Sequence, residues 1–287
     1  MASSFLRTLA VSLERVPPSL VTHRRAAVAI VLRVVGEPPS SFPRVCTLSS
    51  FLASPAASAP PSRIELLFIR RAVRDSDKWS GHVAFPGGMR EADDADDVSA
   101  AARECVEEVG IDPRALLYVG RLADRRATAR GRTLDIAYAA CVFVAPTDAP
   151  LPLTLQSAEV AAARWAPVSA LAPSRQAFNV VRNPLRSVLG ERVSAYVPRW
   201  LGLGEARLAS IDLPVTNAPA DDGEVFRLWG MTLLAVSDLC VAGGGGMAHR
   251  LAWPPAKLRG AWDWLLRGVC AATDAMHACG GGARQDC

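Results

Sequence analysis
Between Phe85 and Ile111 the chain places Phe85-Pro86-Gly87-Gly88, then fourteen residues, then Arg103-Glu104-Cys105-Val106-Glu107-Glu108-Val109-Gly110-Ile111. Positions three and four apart share one face of an α-helix, so Glu104, Glu107 and Glu108 would bring three carboxylates into a small volume. Left alone, that cluster repels itself. A hard divalent cation converts the repulsion into coordination, and Mg²⁺ in particular is usually held by a few carboxylates together with substrate phosphates. The spacing therefore points to phosphate chemistry. The alternative is a solvated acidic face on which Arg103 pairs with Glu107 at i,i+4. Against it stand Val98, Ala102, Cys105 and Val109, whose helical spacing predicts a helix packed on a core with its acids to one side. Pro86-Gly87-Gly88 before it and Gly110 after it frame the helix with a loop and a stop.

The same segment resembles the signature of the Nudix hydrolases: a Gly, five residues, a Glu, seven residues, then Arg-Glu-apolar-x-Glu-Glu-x-Gly-apolar. Arg103, Glu104, Cys105, Glu107, Glu108, Gly110 and Ile111 agree with its second half. The first half differs. Counted back from Arg103, the place of the upstream glutamate falls on Ala95, and Gly88 lies one residue too far away; Asp93, Asp94, Asp96 and Asp97 surround the gap and offer replacement carboxylates. The resemblance implies Mg²⁺ or Mn²⁺ held principally by Glu104 and Glu108. It makes Glu107 a further ligand or the group that orders the attacking water, and Arg103 the cation that orients a helix glutamate. Gly87 and Gly88 would give the phosphates backbone room and an N–H. Glu159, ahead of an apolar strand ending at Trp165, falls where the family often places an extra carboxylate facing the metals, as ligand or base.

Metal-assisted hydrolysis of a diphosphate follows from charge: the cation neutralises oxygens that repel hydroxide and acidifies a bound water, and a carboxylate accepts the proton. The implied substrate is a nucleoside diphosphate linked to another moiety. Leu66-Leu67-Phe68-Ile69-Arg70-Arg71-Ala72, the run Lys78-Trp79-Ser80-Gly81-His82-Val83-Ala84 into Phe85, and Phe226-Arg227-Leu228-Trp229-Gly230-Met231-Thr232 are similar to the coenzyme A diphosphatase branch. That likeness makes coenzyme A or an acyl derivative the expected substrate. Other nucleotides (a sugar nucleotide, a dinucleotide, a damaged nucleotide) and a non-catalytic nucleotide-binding module are the rivals. Among the basic residues upstream of the loop, Arg70 is the expected phosphate contact, since a guanidinium fork suits phosphate. Arg74-Asp75-Ser76-Asp77-Lys78 has the mixed charge of a solvated turn, and His82 reads as structural.

Elements that must position these residues follow from apolar patterning. Ala26 to Val35, Glu65 to Ala72, Leu116 to Leu122 and Leu134 to Val144 predict strands. With the acidic helix they predict an α/β fold with a mixed sheet flanked by helices; the resemblance names it a Nudix-type α/β/α sandwich, with a C-terminal helical extension. Residues 26–241 are expected to form the Nudix hydrolase domain, with a Pro/Ser-rich insertion at about 36–62. Residues 1–25 are Arg-rich, Ser-rich and acid-poor, the composition of a mitochondrial transit peptide, with a short surface helix or disordered tail as the alternatives. Arg121 to Arg132 holds five arginines and reads as an exposed loop. Residues 242–287 read as a Gly-rich linker, an amphipathic helix over Lys257–His277 and a tail.

Half of the 287 residues are hydrophobic, yet no run reaches the roughly 18 apolar residues that a spanning helix requires. A formal net charge of +4, with basic and acidic residues interspersed, gives no reason to expect a nucleic-acid partner. Seven cysteines without Cys-x-x-Cys spacing suggest reduced thiols in an intracellular protein, mitochondrial or cytoplasmic, rather than a disulfide framework or zinc site. Cys105 is expected to pack in the core. Oligomeric state leaves no trace in the sequence.

Overall fold
The computed structural model describes residues 4–14, 16–44, 47–74, 79–129, 132–147, 151–171, 179–184, 205–213 and 225–244. Runs of apolar residues buried on both faces form the two strands Arg24–Val34 (β1) and Ile64–Arg71 (β2). β2 runs antiparallel to β1 and also carries Val83–Ala84 (β3). Gly87–Met89 (β4) adds antiparallel to the first half of β1, pairing Ala27 with Gly88 and Val28 with Gly87. On the other edge of β1 lies Arg132–Ala145 (β7), parallel to it over ten residue pairs from Arg24 with Ile136 to Arg33 with Ala145. Leu117–Arg121 (β5) and Arg125–Ala129 (β6) pair antiparallel with β7, and Val160–Pro167 (β8) with β2. The sheet is therefore mixed, with eight strands among the described residues. Asn179–Pro184 (β9), Glu205–Asp212 (β10) and Arg227–Leu228 (β11) form a small antiparallel sheet of their own.

Side chains alternate between the faces of a strand, and that alternation sorts the core into two layers. Ala27, Ala29, Val31, Leu67 and Ile69 pack beneath a helix over Asp97–Val109, meeting its Ala101, Cys105 and Val109. Val28, Ile30, Leu32, Leu66 and Phe68 face the other way, toward helices over Phe5–Leu13 (α1), Leu48–Ala53 (α2) and Gly230–Ala242. The acidic helix is α3 and the last one α4. Helices on both faces of one mixed sheet make the α/β/α sandwich expected from the sequence.

The first 25 residues differ from a tail or a surface helix. Phe5, Leu6, Leu9, Ala10 and Leu13 form one buried stripe of α1, with Leu9 fully inaccessible. Arg7 donates to the carbonyls of Leu52 and Ser54, tying α1 to α2. Residues 5–13 thus belong to the folded domain. The stretch expected as an insertion does separate β1 from β2, but it is built as core: Thr47 and Ser50 form a reciprocal cap on α2, and Phe51, Ala56 and Ala57 are fully buried. The arginine-rich segment is also no exposed loop among its described residues. It holds the end of β5 and all of β6, Arg121 is buried, and Arg125 forks onto Asp238 of α4 at 2.6 and 2.7 Å. At the far end, Gly243 lies so close to the Phe5 ring that an added Cβ would come within 2.8 Å of its Cζ, so the start of the expected glycine linker is packed. The expected C-terminal amphipathic helix, Lys257–His277, lies outside the described residues.

Truncating Leu9 to Ala is expected to destabilise the domain by about 3 kcal/mol, the usual cost of a leucine-sized void in a core. Urea unfolding of the two proteins measures it, and a loss below about 1 kcal/mol would mean α1 is not part of the core.

Candidate active site
α3 starts where Asp96 accepts the Ser99 N–H at 2.7 Å, and it ends at Gly110, whose φ of 72° is a left-handed cap that a side chain would strain. The register of the helix on the sheet is fixed at its first residue. Asp97 is buried and receives the Arg25 guanidinium at 2.8 and 2.6 Å and Arg121 at 3.0 Å. Asp124 completes the group, accepting from Arg25 at 3.0 Å, from Arg121, and from the backbone N–H groups of Ser19 and Leu20. Burial alone would raise the Asp97 carboxyl, but the hydrogen bonds and charges of Arg25 and Arg121 outweigh it and hold the group below the usual carboxylate range.

β4 runs back along α3, and the two elements bring glycines against acids. Gly87 N–H donates to Glu108 Oε2 at 2.9 Å, and a Cβ on Gly88 would overlap the Glu104 carboxylate, reaching its Cδ at 2.7 Å. Only a residue without a side chain leaves Glu104 in place. Both carboxylates are buried, Glu108 with 2% of its surface exposed. Burial pushes Glu108 up to about 7, against the lowering effect of the Gly87 bond and with a further rise from Glu104; burial also raises Glu104, against the charge of Arg103. The Glu159 charge adds the smallest of the named contributions to the rise of both; its own carboxylate is half exposed and 3.4 Å from the Arg74 guanidinium.

Glu107 departs from the expected three-carboxylate cluster. It is 53% exposed and held at 2.9 Å by Arg103, which also donates to Glu104 at 3.1 Å. Among the described residues no three His, Cys, Asp or Glu side chains are arranged to hold a metal ion, so the structure offers the buried pair Glu104 and Glu108 with Glu159 nearby. Arg103 is the hub: besides these two glutamates it forks onto Asp94 at 3.0 and 3.1 Å and donates to the Met89 carbonyl at 3.2 Å. The Arg103 hydrogen bond keeps Asp94 below the usual carboxylate range. Asp94 is thus the carboxylate that fills the gap in the signature. It stands six residues after Gly88, the interval the signature asks for, so the additional residue lies between Asp94 and α3 rather than in the glycine loop.

Gly87, expected to offer its N–H to phosphate, instead spends that N–H on Glu108. Arg70, expected as a phosphate contact, lies on the opposite face of β2 from α3, its guanidinium 5.8 Å from the Phe226 ring centre. Its neighbour Arg71 has the other parity and comes within 3.9 Å of Glu108. His82 packs edge-on against Trp229 at 4.5 Å, and Thr232 donates to the Val83 carbonyl at 3.1 Å. Sequence named Asp97 only as one of four aspartates beside the gap in the signature; nothing in the spacing marked Arg25 or Arg121 as its partners.

The two buried carboxylates fit a hard divalent cation. They offer only oxygen donors and are raised above their ordinary range by the desolvation that a cation would relieve. When bound there, a cation supplies charge neutralisation at phosphate oxygens and a more acidic water.

The chain resembles known proteins over the same region. Residues 54–187 match the family model described as the NUDIX domain. An uncharacterized protein of Schizosaccharomyces pombe is 37% identical over 163 residues, covering 55% of this chain and 45% of that protein. The uncharacterized Nudix hydrolase NudL of Salmonella paratyphi B is 46% identical over 57 residues, 20% of this chain and 29% of its own length. The chain spans less than half the length of these curated relatives. Among solved structures, an Ap4A hydrolase from C. elegans aligns over 52% of this chain and 82% of its own, at 17% identity and a TM-score of 0.34. The NUDIX domain of Shewanella oneidensis NrtR, complexed with ADP ribose, aligns over 52% and 76% at 12% identity and a TM-score of 0.32. No described helix is long and apolar enough to cross a membrane.

The Asp97 group makes a pH prediction. Its folded pKa is depressed, so its contribution to stability is present above the ordinary value of 3.8 and is lost as pH falls through the lower folded value. Asp97→Asn is expected to destabilise the domain by about 3 kcal/mol at neutral pH, because it leaves buried arginines short of a partner, and to flatten the fall in melting temperature below pH 4. Thermal melts of both proteins from pH 7 to pH 2.5 test this; parallel profiles would remove Asp97 as a source of acid lability.

Proposed function
We propose that the protein, whose residues 54–187 match the NUDIX domain model, is a divalent-metal-dependent hydrolase of the diphosphate linkage in a nucleoside diphosphate derivative, with coenzyme A or an acyl-coenzyme A as substrate. The observation that carries this reading is the pair of buried carboxylates, Glu104 and Glu108, set against a strand whose two glycines leave nothing but backbone beside them. Glu104 and Glu108 would hold Mg²⁺ or Mn²⁺, with Glu159 as a further carboxylate. Arg103 fixes the Glu104 carboxylate and the position of Glu107 from the solvent side, where Glu107 orders the attacking water and accepts its proton. Gly88 leaves room for the Glu104 carboxylate, and Arg71, on the α3 face near Glu108, would supply positive charge toward the phosphates.

Support for coenzyme A comes from where the similar segments meet. Val83 of the first and Thr232 of the second are joined by a hydrogen bond although 149 residues apart, and His82 touches Trp229. The two stretches of likeness thus pack against each other inside the domain, on the face of the sheet away from α3. The second reading, a non-catalytic module that binds a nucleotide, is favoured by one observation: Glu107 is turned toward Arg103 instead of completing a set of three carboxylates.

Incubating the protein with coenzyme A, sugar nucleotides, dinucleotides and ADP-ribose in Mg²⁺ or Mn²⁺ is expected to release adenosine 3′,5′-bisphosphate from coenzyme A. Release of product only from another compound would remove the coenzyme A assignment, and no turnover of any would favour the binding module. Glu108→Gln keeps an acceptor for the Gly87 N–H, so the fold should persist while turnover falls by at least a hundredfold, within the usual range for losing an essential carboxylate. Gly88→Ala displaces Glu104 and is expected to weaken Mn²⁺ binding, read by titration of the bound ion, while the melting temperature changes little.

A further inference from the structure
Just ahead of β8 the chain turns over residues 156–159, where the N–H groups of Glu159 and Val160 both donate to the Gln156 carbonyl at 2.8 Å. Two neighbours pin that turn. On one side is the end of α3: the Thr154 N–H donates to the Val109 carbonyl at 2.9 Å and the Gln156 N–H to the Glu108 carbonyl at 3.1 Å. Glu108, whose carboxylate is buried at the site, thus anchors the turn through its own peptide. On the other side is the chain leaving β2, where the Ala72 N–H donates to the Glu159 carbonyl at 2.7 Å and the Arg74 guanidinium donates to the Ala158 carbonyl. Arg74 is itself placed by its backbone, whose N–H donates to Ser80 Oγ at 2.7 Å.

These bonds locate Glu159 relative to the buried pair. Val160 is the cross-strand partner of Arg71 and packs in the layer under α3, and Arg71 comes within 3.9 Å of Glu108. Glu159 is the residue before Val160, so its backbone lies one position from that partner. The two contacts of the Arg74 guanidinium differ in what they hold. Its bond to the Ala158 carbonyl is charge-assisted and fixes main chain. Glu159 Oε1, by contrast, lies 3.4 Å away, with the two side chains 42% and 45% exposed, and an exposed pair of that kind holds little. The backbone of the turn is therefore clamped while the carboxylate stays free to swing toward a cation.

We propose that Arg74 is a positioning residue for the divalent cation: by clamping the Ala158 carbonyl it keeps Glu159 within reach of an ion held by Glu104 and Glu108, without touching ion or substrate itself. This rests on the reading of Glu104 and Glu108 as the cation site, and it adds how a carboxylate from a separate turn is delivered there. A turn ordered in advance spares the cation the cost of ordering it. The sign of the effect is diagnostic. Arg74 carries the same charge as the ion, so if it acted by charge alone its removal would tighten binding; as a clamp, its removal loosens it.

The test is a Mn²⁺ titration of the full-length chain, read from the electron paramagnetic resonance signal of the free ion. Arg74→Ala is expected to raise the Kd about tenfold, the low end of what losing a partner of a metal ligand costs, with little change in melting temperature. Arg74→Lys keeps a donor for the Ala158 carbonyl and should recover part of the loss. Glu159→Gln alone should also weaken binding, and adding Arg74→Ala to it should cost nothing further, because the carboxylate being placed is gone. Unchanged or tighter binding by Arg74→Ala would overturn the proposal, as would a loss that persists in full in the Glu159→Gln background. Should wild type bind no Mn²⁺, the cation reading itself fails and the proposal falls with it.

Discussion

Two carboxylates held out of water against bare backbone are the constraint around which this domain is arranged. Burying Glu104 and Glu108 disfavours their charged forms and sets them against each other, and both consequences appear as raised pKa values. Such an arrangement persists only if neighbouring structure over-determines it. Here β4 contributes the Gly87 N–H and the vacancy at Gly88, while Arg103 anchors the helix to the loop through Asp94 and the Met89 carbonyl. At the other end of the helix, a group of two aspartates and two arginines ties α3 to β1, to the end of β5 and to the chain before β1. Stability has been given up at the centre and recovered at the ends of the same helix.

Much of this was legible beforehand. The acidic helix and its glycine stop follow from residue types at helical spacing, and four strands were visible as apolar runs bounded by turn formers. What could not be read was which neighbour faces where. Arg70 and Arg71 are adjacent and chemically equal, and only the pairing of β2 with β1 and β8 assigns one to the Phe226 side and the other to the acidic helix. Asp94 was one of four aspartates around a spacing defect, and choosing it needed the path of the loop back to Arg103.

Composition misled at the N-terminus. Phe5, Leu6, Leu9, Ala10 and Leu13 repeat at helical intervals, which is the mark of a helix packed on a core, yet the arginines and serines between them gave the stretch the look of a targeting segment. Periodicity reports what a segment buries, whereas composition reports only what it contains. The arginine-rich stretch after β5 teaches the same lesson, since burial and ion pairing absorbed residues that a count would assign to solvent.

The seat of the Phe5 ring on Gly243 joins the first helix of the domain to the last turn of α4. Two elements far apart in sequence thereby share one buried surface, and neither can detach without exposing the other. Local opening of the ends is then a single cooperative event, and the backbone amides of α1 and α4 should exchange their protons with solvent at a common free energy instead of fraying one residue at a time.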